Sequence, residues 1–252
     1  MPNDNRLVWV LAFLLLALLL SALANVYFLR LGRHFFRELS LARLDPLGTA
    51  QMDTTDDGRL AAASEKQVVF VGDSRAAAWP APEALPGFVF INQAVNGHTA
   101  VQTQQRFGQH VTPLQPDIVV IQVGINDLHA IAVLADDKAA IIHTCQESLL
   151  ALVAQSQAAG AAVILTTIIP AEAPTLADRL TWSAEVETAV DTVNRFIRAQ
   201  QTDGVIVLDA HALLADQNGR LASHYATDFL HVNEQGYTVL NKALVQLLQQ
   251  MQ

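Results

Sequence analysis

The sequence is poor in cysteine and in basic residues, and each shortage excludes a class of function. Its 252 residues include one cysteine, Cys145, so an intramolecular disulfide and a multi-cysteine metal site are both excluded. Cys145 lies in a helical pattern, which predicts a buried structural thiol. Fifteen lysines and arginines stand against 24 aspartates and glutamates, for a formal net charge of −9. Because phosphate binding needs clustered lysine and arginine, this balance argues against a nucleic-acid partner.

Charge is absent altogether from the stretch between Leu7 and Leu29. As a helix, this stretch is about 35 Å long, and the core of a bilayer is about 30 Å thick. Ala22 and Ala24 form an A-x-A pattern, so a cleaved signal peptide is the alternative to a membrane anchor. Apolar residues continue beyond that pattern to Leu29, which favours a retained single-pass anchor.

Two arguments about the orientation of the anchor disagree. Arg30, Arg33 and Arg37 come directly after the apolar stretch, and the positive-inside rule would place them in the cytoplasm. Long domains translocate largely regardless of flanking charge, so we expect the rest of the chain on the extracytoplasmic, or periplasmic, side. We divide the chain into an anchor or signal peptide (residues 1–31), a juxtamembrane helix with a polar tether (32–64), and a globular domain (65–252).

Within the globular domain, short apolar runs alternate with helical patterns. The runs predict five β-strands, at residues 68–71, 88–95, 117–124, 162–169 and 205–210. Unbroken apolar runs suit strands that are buried on both faces of a parallel sheet. The alternation therefore predicts an α/β fold, a flavodoxin-like three-layer α/β/α sandwich around a five-stranded parallel sheet.

The first strand runs directly into Gly72, Asp73 and Ser74 and then into a short helical stretch. Ligands of open α/β sheets bind at this carboxyl edge, and a helix N-terminus there offers free amides to an oxyanion. Ser74 is therefore a candidate nucleophile. In the alternative interpretation, Asp73 and Ser74 only cap the helix, a role that both residue types favour.

Three later stretches carry further polar residues at predicted strand ends or at a helix entry. Gly97 follows the second strand, where a bare amide lets a ligand approach closely. Asn126 follows the third strand, where its side-chain NH₂ can donate to an oxyanion. His231 precedes the last helix and has the titration range of a general base, while Asp228 lies three residues earlier and can orient the imidazole.

Taken in order, these stretches resemble the four sequence blocks of the SGNH (GDSL-type) hydrolases. The resemblance covers roughly three quarters of the chain and implies Ser74 as nucleophile, His231 as base and Asp228 as its partner. It further implies an oxyanion hole made by the backbone N–H groups of Ser74 and Gly97 and the side chain of Asn126. Neither a metal nor an organic cofactor is implied, and no H-E-x-x-H spacing for zinc is present.

Three other residues are candidates for lining the substrate cleft. Arg75 stands where the family usually has an apolar residue, and at the cleft mouth it would favour an anionic substrate. His98 and His129 lie close in sequence to Gly97 and Asn126.

The sequence therefore predicts a membrane-tethered serine esterase that hydrolyses an ester through an acyl-enzyme. A lysophospholipid or another acyl ester is the first expectation for its substrate. The alternatives are an O-acetyl esterase or acyltransferase acting on an envelope polysaccharide, and a non-catalytic binding or scaffold protein that kept the fold. A flavin- or nucleotide-binding protein is disfavoured, because the first loop lacks a phosphate-cradling glycine pattern. The oligomeric state is left open.

Overall fold

A computed structural model describes residues 4–44, 46, 64–83 and 85–251. It divides the chain into two compact units, Met1–Pro46 and Leu47–Gln252. The predicted polar tether falls almost entirely on residues 49–63, which lie outside the described residues, so the predicted domain boundaries stay predictions.

The first unit contains one helix, α1 (Asp4–Leu44), 41 residues long. Its segment Asn5–Arg37 has a mean hydropathy of 2.8 and no side chain buried against protein, and it is long and apolar enough to cross a membrane. The helix ends two residues before Pro46, a residue type that cannot continue a helix. A membrane anchor and a signal sequence both remain compatible with this helix.

The second unit is built on five parallel strands in the order β2-β1-β3-β4-β5. The strands are β1 (Lys66–Gly72), β2 (Phe88–Asn92), β3 (Ile118–Gln122), β4 (Ala162–Thr166) and β5 (Val205–Leu208). This order is that of the flavodoxin-like sheet, and it confirms the predicted fold. Four of the strands, β2 to β5, end two or three residues earlier than predicted, because their last residues leave the ladder and form the loops at the carboxyl edge.

Helices cover both faces of the sheet. They are α2 (Ser74–Ala77), α3 (Ala100–His110), α4 (Ile125–His129), α5 (Lys138–Ala158), α6 (Ala184–Arg198), α7 (Ala210–Leu214) and α8 (Glu234–Gln250). One apolar core joins the sheet to α3, α5 and α6 and includes Cys145, which is fully buried as predicted. The other core joins the sheet to α7 and α8. Both cores fix the positions of the strand ends from which the site is built.

The apolar span of α1 leads to a prediction about processing. If the helix is retained, the full-length protein should stay in the membrane fraction after high-salt and alkaline washing, because its apolar span has no soluble environment. Its N-terminal peptide should be found in the mature protein by mass spectrometry. Ala24→Leu, which removes the A-x-A pattern, should leave the mature mass unchanged apart from the substitution. A soluble mature chain that begins at Asn25 would contradict the anchor.

Candidate active site

The turn between β1 and α2 places Ser74 at the carboxyl edge of the sheet. Gly72 has φ +152°, and a Cβ at this position would lie 1.8 Å from the backbone oxygen of Gln122, so only glycine fits. Asp73 caps α2, because its Oδ1 accepts a hydrogen bond from the Arg75 N–H at 2.9 Å. The cap is thus Asp73 alone. Ser74 is the first residue of α2, and its side chain is not used for capping.

Three side chains from distant parts of the chain meet at this turn. The Ser74 Oγ lies 3.1 Å from the His231 Nε2, and the His231 Nδ1 lies 2.9 Å from the Asp228 Oδ2. Asp228 also accepts hydrogen bonds from the N–H groups of Leu230 and His231, each at 2.9 Å. Partial desolvation opposes ionisation of Asp228, but these hydrogen bonds outweigh it and lower the pKa of the carboxyl. The arrangement is that of a nucleophile, a base and an orienting carboxylate.

The predicted oxyanion donors belong to loops at the same sheet edge. Ser74 N–H lies in the first turn of α2, where amides have no partner within the helix. Gly97 has φ +77° and nothing within 4 Å of the place where a Cβ would stand, so the backbone here is open to approach. Asn126 lies in α4, and its Nδ2 donates to the backbone oxygen of His98 at 2.9 Å. An amide NH₂ has two hydrogens, so this bond leaves one for a ligand.

Arg75 does not lie at the cleft mouth, and this prediction is wrong. The side chain is completely buried, because the second position of α2 faces the protein interior. Its Nε donates to the backbone oxygen of Leu230 at 2.8 Å, and its Nη1 donates to the backbone oxygen of Ile169. Since Leu230 precedes His231, the guanidinium connects the helix of Ser74 to the loop of His231.

The two histidines have different surroundings. His98 is only 3% exposed, and its Nδ1 accepts a hydrogen bond from the Arg106 Nε at 3.1 Å, so the predicted place in the cleft lining is wrong for its side chain. The hydrogen bond from Arg106 holds the ring inside the protein. His129 is half-buried and does line a cavity beside the base.

This cavity, which we call the catalytic cleft because His231 and Asp228 line it, has a volume of about 460 Å³; Ser74, Gly97 and Asn126 are not among its lining residues. Its remaining lining is mostly acidic, hydroxyl-bearing or apolar. The lining residues are His129, Glu172, Ala173, Thr175, Asp178, Thr181, Asp228, Phe229, Leu230 and His231. Among the described residues that line it, none is a lysine or an arginine. No side chain of these two types is therefore available there to bind an anionic substrate. Glu172 and Asp178 were not among the predicted site residues.

Two buried carboxyl groups lie beneath the site. Burial raises the pKa of Asp73 to about 6, although the neighbouring Arg75 lowers it, and burial raises the pKa of Asp127 to about 7. The Asp127 Oδ2 accepts from the Ala100 N–H at 2.9 Å and so joins α4 to the start of α3. No group of three or more histidine, cysteine, aspartate or glutamate side chains that would suit a metal ion occurs in the part of the chain that the structure describes.

Comparison with known proteins identifies the family and supports the fold. The model of the GDSL-like lipase/acylhydrolase family matches residues 60–239. The structure is similar to a GDSL-like lipase from Bacteroides thetaiotaomicron, at 20% identity and a TM-score of 0.58 over 83% of this chain and 98% of that one. It is also similar to an acetylxylan esterase from Geobacillus stearothermophilus, at 19% identity and a TM-score of 0.55 over 73% and 94%. At these identities the two structures show the fold alone. No curated relative matches the sequence closely enough for comparison.

Asp127 provides a prediction about stability and pH. Its folded pKa of about 7 exceeds the ordinary value of 3.8, so its contribution to stability is complete below pH 3.8 and is lost as the pH rises through 7. Asp127→Asn keeps an oxygen acceptor for the Ala100 N–H but does not ionise. The variant should therefore gain stability over the wild type as the pH rises from about 4 to about 7. Urea unfolding at pH 4, 6 and 8 measures this difference, and the same difference at all three pH values would contradict the assignment.

Proposed function

The chain belongs to the GDSL-like lipase/acylhydrolase family and is a serine ester hydrolase, and we propose that Ser74, His231 and Asp228 are its catalytic triad. The observation that carries this proposal is the pair of contacts at His231, 3.1 Å to the Ser74 Oγ and 2.9 Å to the Asp228 Oδ2. Each of the two imidazole nitrogens thus has the partner that acyl transfer requires of it.

In the first half of the reaction, the His231 Nε2 takes the proton of Ser74 as the Oγ attacks the carbonyl carbon of the ester. Asp228 holds the Nδ1 proton and stabilises the imidazolium that forms. The carbonyl oxygen becomes an oxyanion, to which the N–H groups of Ser74 and Gly97 and the Asn126 side chain donate. When the tetrahedral intermediate collapses, the bond to the alcohol oxygen breaks, and the imidazolium gives that oxygen its proton. The acyl group is then an ester of Ser74.

In the second half, His231 takes a proton from water, and the resulting hydroxide oxygen attacks the acyl carbon. Collapse of this second intermediate releases the carboxylic acid and returns the proton to the Ser74 Oγ. A sugar hydroxyl in place of water would make the same site an acyltransferase.

The charge of the catalytic cleft favours a neutral substrate over a phosphate-bearing one. Glu172 and Asp178 give it negative charge, while the lining has hydroxyls from Thr175 and Thr181 and no cation. A phosphate close to the ester would be repelled there, whereas a neutral, hydroxyl-rich alcohol would find hydrogen-bond partners. We therefore place an O-acetyl or other short acyl ester on a neutral glycan first. A lysophospholipid, which carries a phosphate, becomes the second candidate.

We further propose that α1 is retained as a single-pass anchor and that the hydrolase acts on the extracytoplasmic side. The apolar length of α1 supports the anchor. An envelope polysaccharide or a membrane lipid would both be within reach of an enzyme held there. The rival proposal, a non-catalytic scaffold with this fold, predicts no nucleophilic serine, and the next experiment distinguishes the two.

A fluorophosphonate should label the wild-type protein at Ser74 alone, because the adjacent base makes this serine nucleophilic. Peptide mass spectrometry identifies the labelled residue. Ser74→Ala should abolish labelling, and Ser156→Ala, which removes a buried serine of α5 remote from the triad, should not. Folded protein that stays unlabelled at neutral pH would support the scaffold instead.

A panel of esters should separate the substrate classes. With acyl length held constant, kcat/KM should be higher for an acetylated neutral saccharide than for the acetyl ester of a phosphate-bearing alcohol, by about tenfold at low salt. Because salt screens exposed charges, the ratio of the two kcat/KM values should shrink as salt is added. Glu172→Gln should also reduce it, while Glu147→Gln, on the exposed surface of α5, should leave it unchanged. A preference for the phosphate-bearing ester would contradict the charge argument.

A further inference from the structure

Arg106 lies near the end of α3 with its side chain turned into the protein. It is only 1% exposed, and it forms no ion pair with a carboxylate among the described residues. Burial lowers the pKa of the guanidinium to about 10, which leaves it charged at neutral pH. Burying a cation without a counter-ion is costly, and an apolar side chain of similar length would avoid the cost.

Its Nε donates a hydrogen bond to the Nδ1 of His98 at 3.1 Å. Because Nδ1 accepts this bond, that nitrogen carries no proton, and the imidazole is neutral with its proton on Nε2. The ring of His98 is buried, so it has little freedom to turn. A hydrogen bond from a charged donor is also stronger than a neutral one. Arg106 thus fixes the position of the His98 ring.

The backbone of His98 holds the predicted oxyanion donor. Its carbonyl oxygen accepts a hydrogen bond from the Asn126 Nδ2 at 2.9 Å. This bond fixes the plane of the Asn126 amide and so sets the direction of the second N–H. A donor must lie close to where the oxyanion forms, and a shift of about 1 Å costs on the order of 100-fold in rate. The direction of that N–H therefore depends on where the His98 carbonyl stands.

We propose that Arg106 is a positioning residue of the oxyanion hole, which acts through His98 to orient the side chain of Asn126. The inference rests on the proposed function, since it assigns a role within the same site. Arg106 touches no reacting atom. Its effect on the reaction passes through two hydrogen bonds, from Arg106 to His98 and from Asn126 to His98.

The test is a double-mutant cycle in the full-length protein, with kcat and KM measured on a short-chain chromogenic ester. Asn126→Ala removes the donor and should lower kcat by about 10²–10³-fold. Arg106→Met reaches about as far as the arginine Nε and removes the hydrogen bond, and it should lower kcat by about 10- to 100-fold while KM changes less than about twofold. Arg195→Met, an exposed arginine on α6, should leave both constants unchanged.

The decisive value is the effect of Arg106→Met in the Asn126→Ala background. If Arg106 acts through Asn126, this effect should shrink to less than about threefold, because the group it positions is gone. Effects that multiply in the double variant would overturn the proposal, and so would a normal kcat in Arg106→Met. A wild type that neither hydrolyses the ester nor takes the fluorophosphonate would instead contradict the proposed function itself.

A second pair of variants answers the question even where Arg106→Met does not fold. His98→Asn places an oxygen acceptor close to the position of Nδ1, and it should keep kcat within about threefold of the wild type. His98→Leu removes the acceptor and should lower kcat by about 10- to 100-fold. Melting temperatures measured beside the kinetics show whether each variant is folded. Equal kcat values in the two folded variants would overturn the proposal.

Discussion

The candidate site depends on one long-range connection, the hydrogen bonds that join the helix of Ser74 to the loop of His231. Ser74 and His231 are 157 positions apart in the chain, yet their side chains must stay within hydrogen-bond distance. Arg75, directly after the serine, donates to the backbone oxygens of Ile169 and Leu230. From α8, the Tyr237 hydroxyl donates to the Arg75 backbone oxygen at 2.8 Å. Several buried hydrogen bonds thus hold together three segments that have no sequence proximity.

Buried charge is the second constraint on this end of the fold. Asp73 caps α2 and shares the interior with Arg75, Asp127 joins α3 to α4, and Arg106 donates to His98. Ionisable groups in a protein interior are destabilising unless hydrogen bonds compensate for lost hydration. Each of these groups makes at least one hydrogen bond, but the Asp73 Oδ2 and both Arg106 Nη atoms have no hydrogen-bond partner among the described residues. They are concentrated beneath the carboxyl edge of the sheet, where polar loops replace apolar packing. The same low-dielectric surroundings strengthen hydrogen bonds made to a developing oxyanion.

The features of the fold and the candidate site that could be predicted from the sequence are those that depend on local residue patterns. The five strands follow from unbroken apolar runs, and the meeting of Ser74, His231 and Asp228 at one sheet edge follows from polar residues placed near the ends of those runs, together with the family resemblance. The direction of Arg75 could not be predicted, because a four-residue helix has no periodicity from which to read its inward face. The position of His98 depends on Arg106, eight residues later, and no local pattern shows that contact. A signal for Arg106 does exist, since it immediately precedes the buried Phe107 and lies three residues after the buried Thr103, on an inward face of α3.

The central claim is that Ser74 carries the acyl group between the two halves of the reaction, and pre-steady-state kinetics test it most directly. On mixing with excess 4-nitrophenyl acetate, the wild-type protein should release a rapid burst of nitrophenolate, with one equivalent per active chain as its upper limit. Protein quenched during the burst should carry one acetyl group, which peptide mass spectrometry should locate on Ser74. An acetyl group on another residue, or turnover that persists in Ser74→Ala at the wild-type rate, would contradict the account.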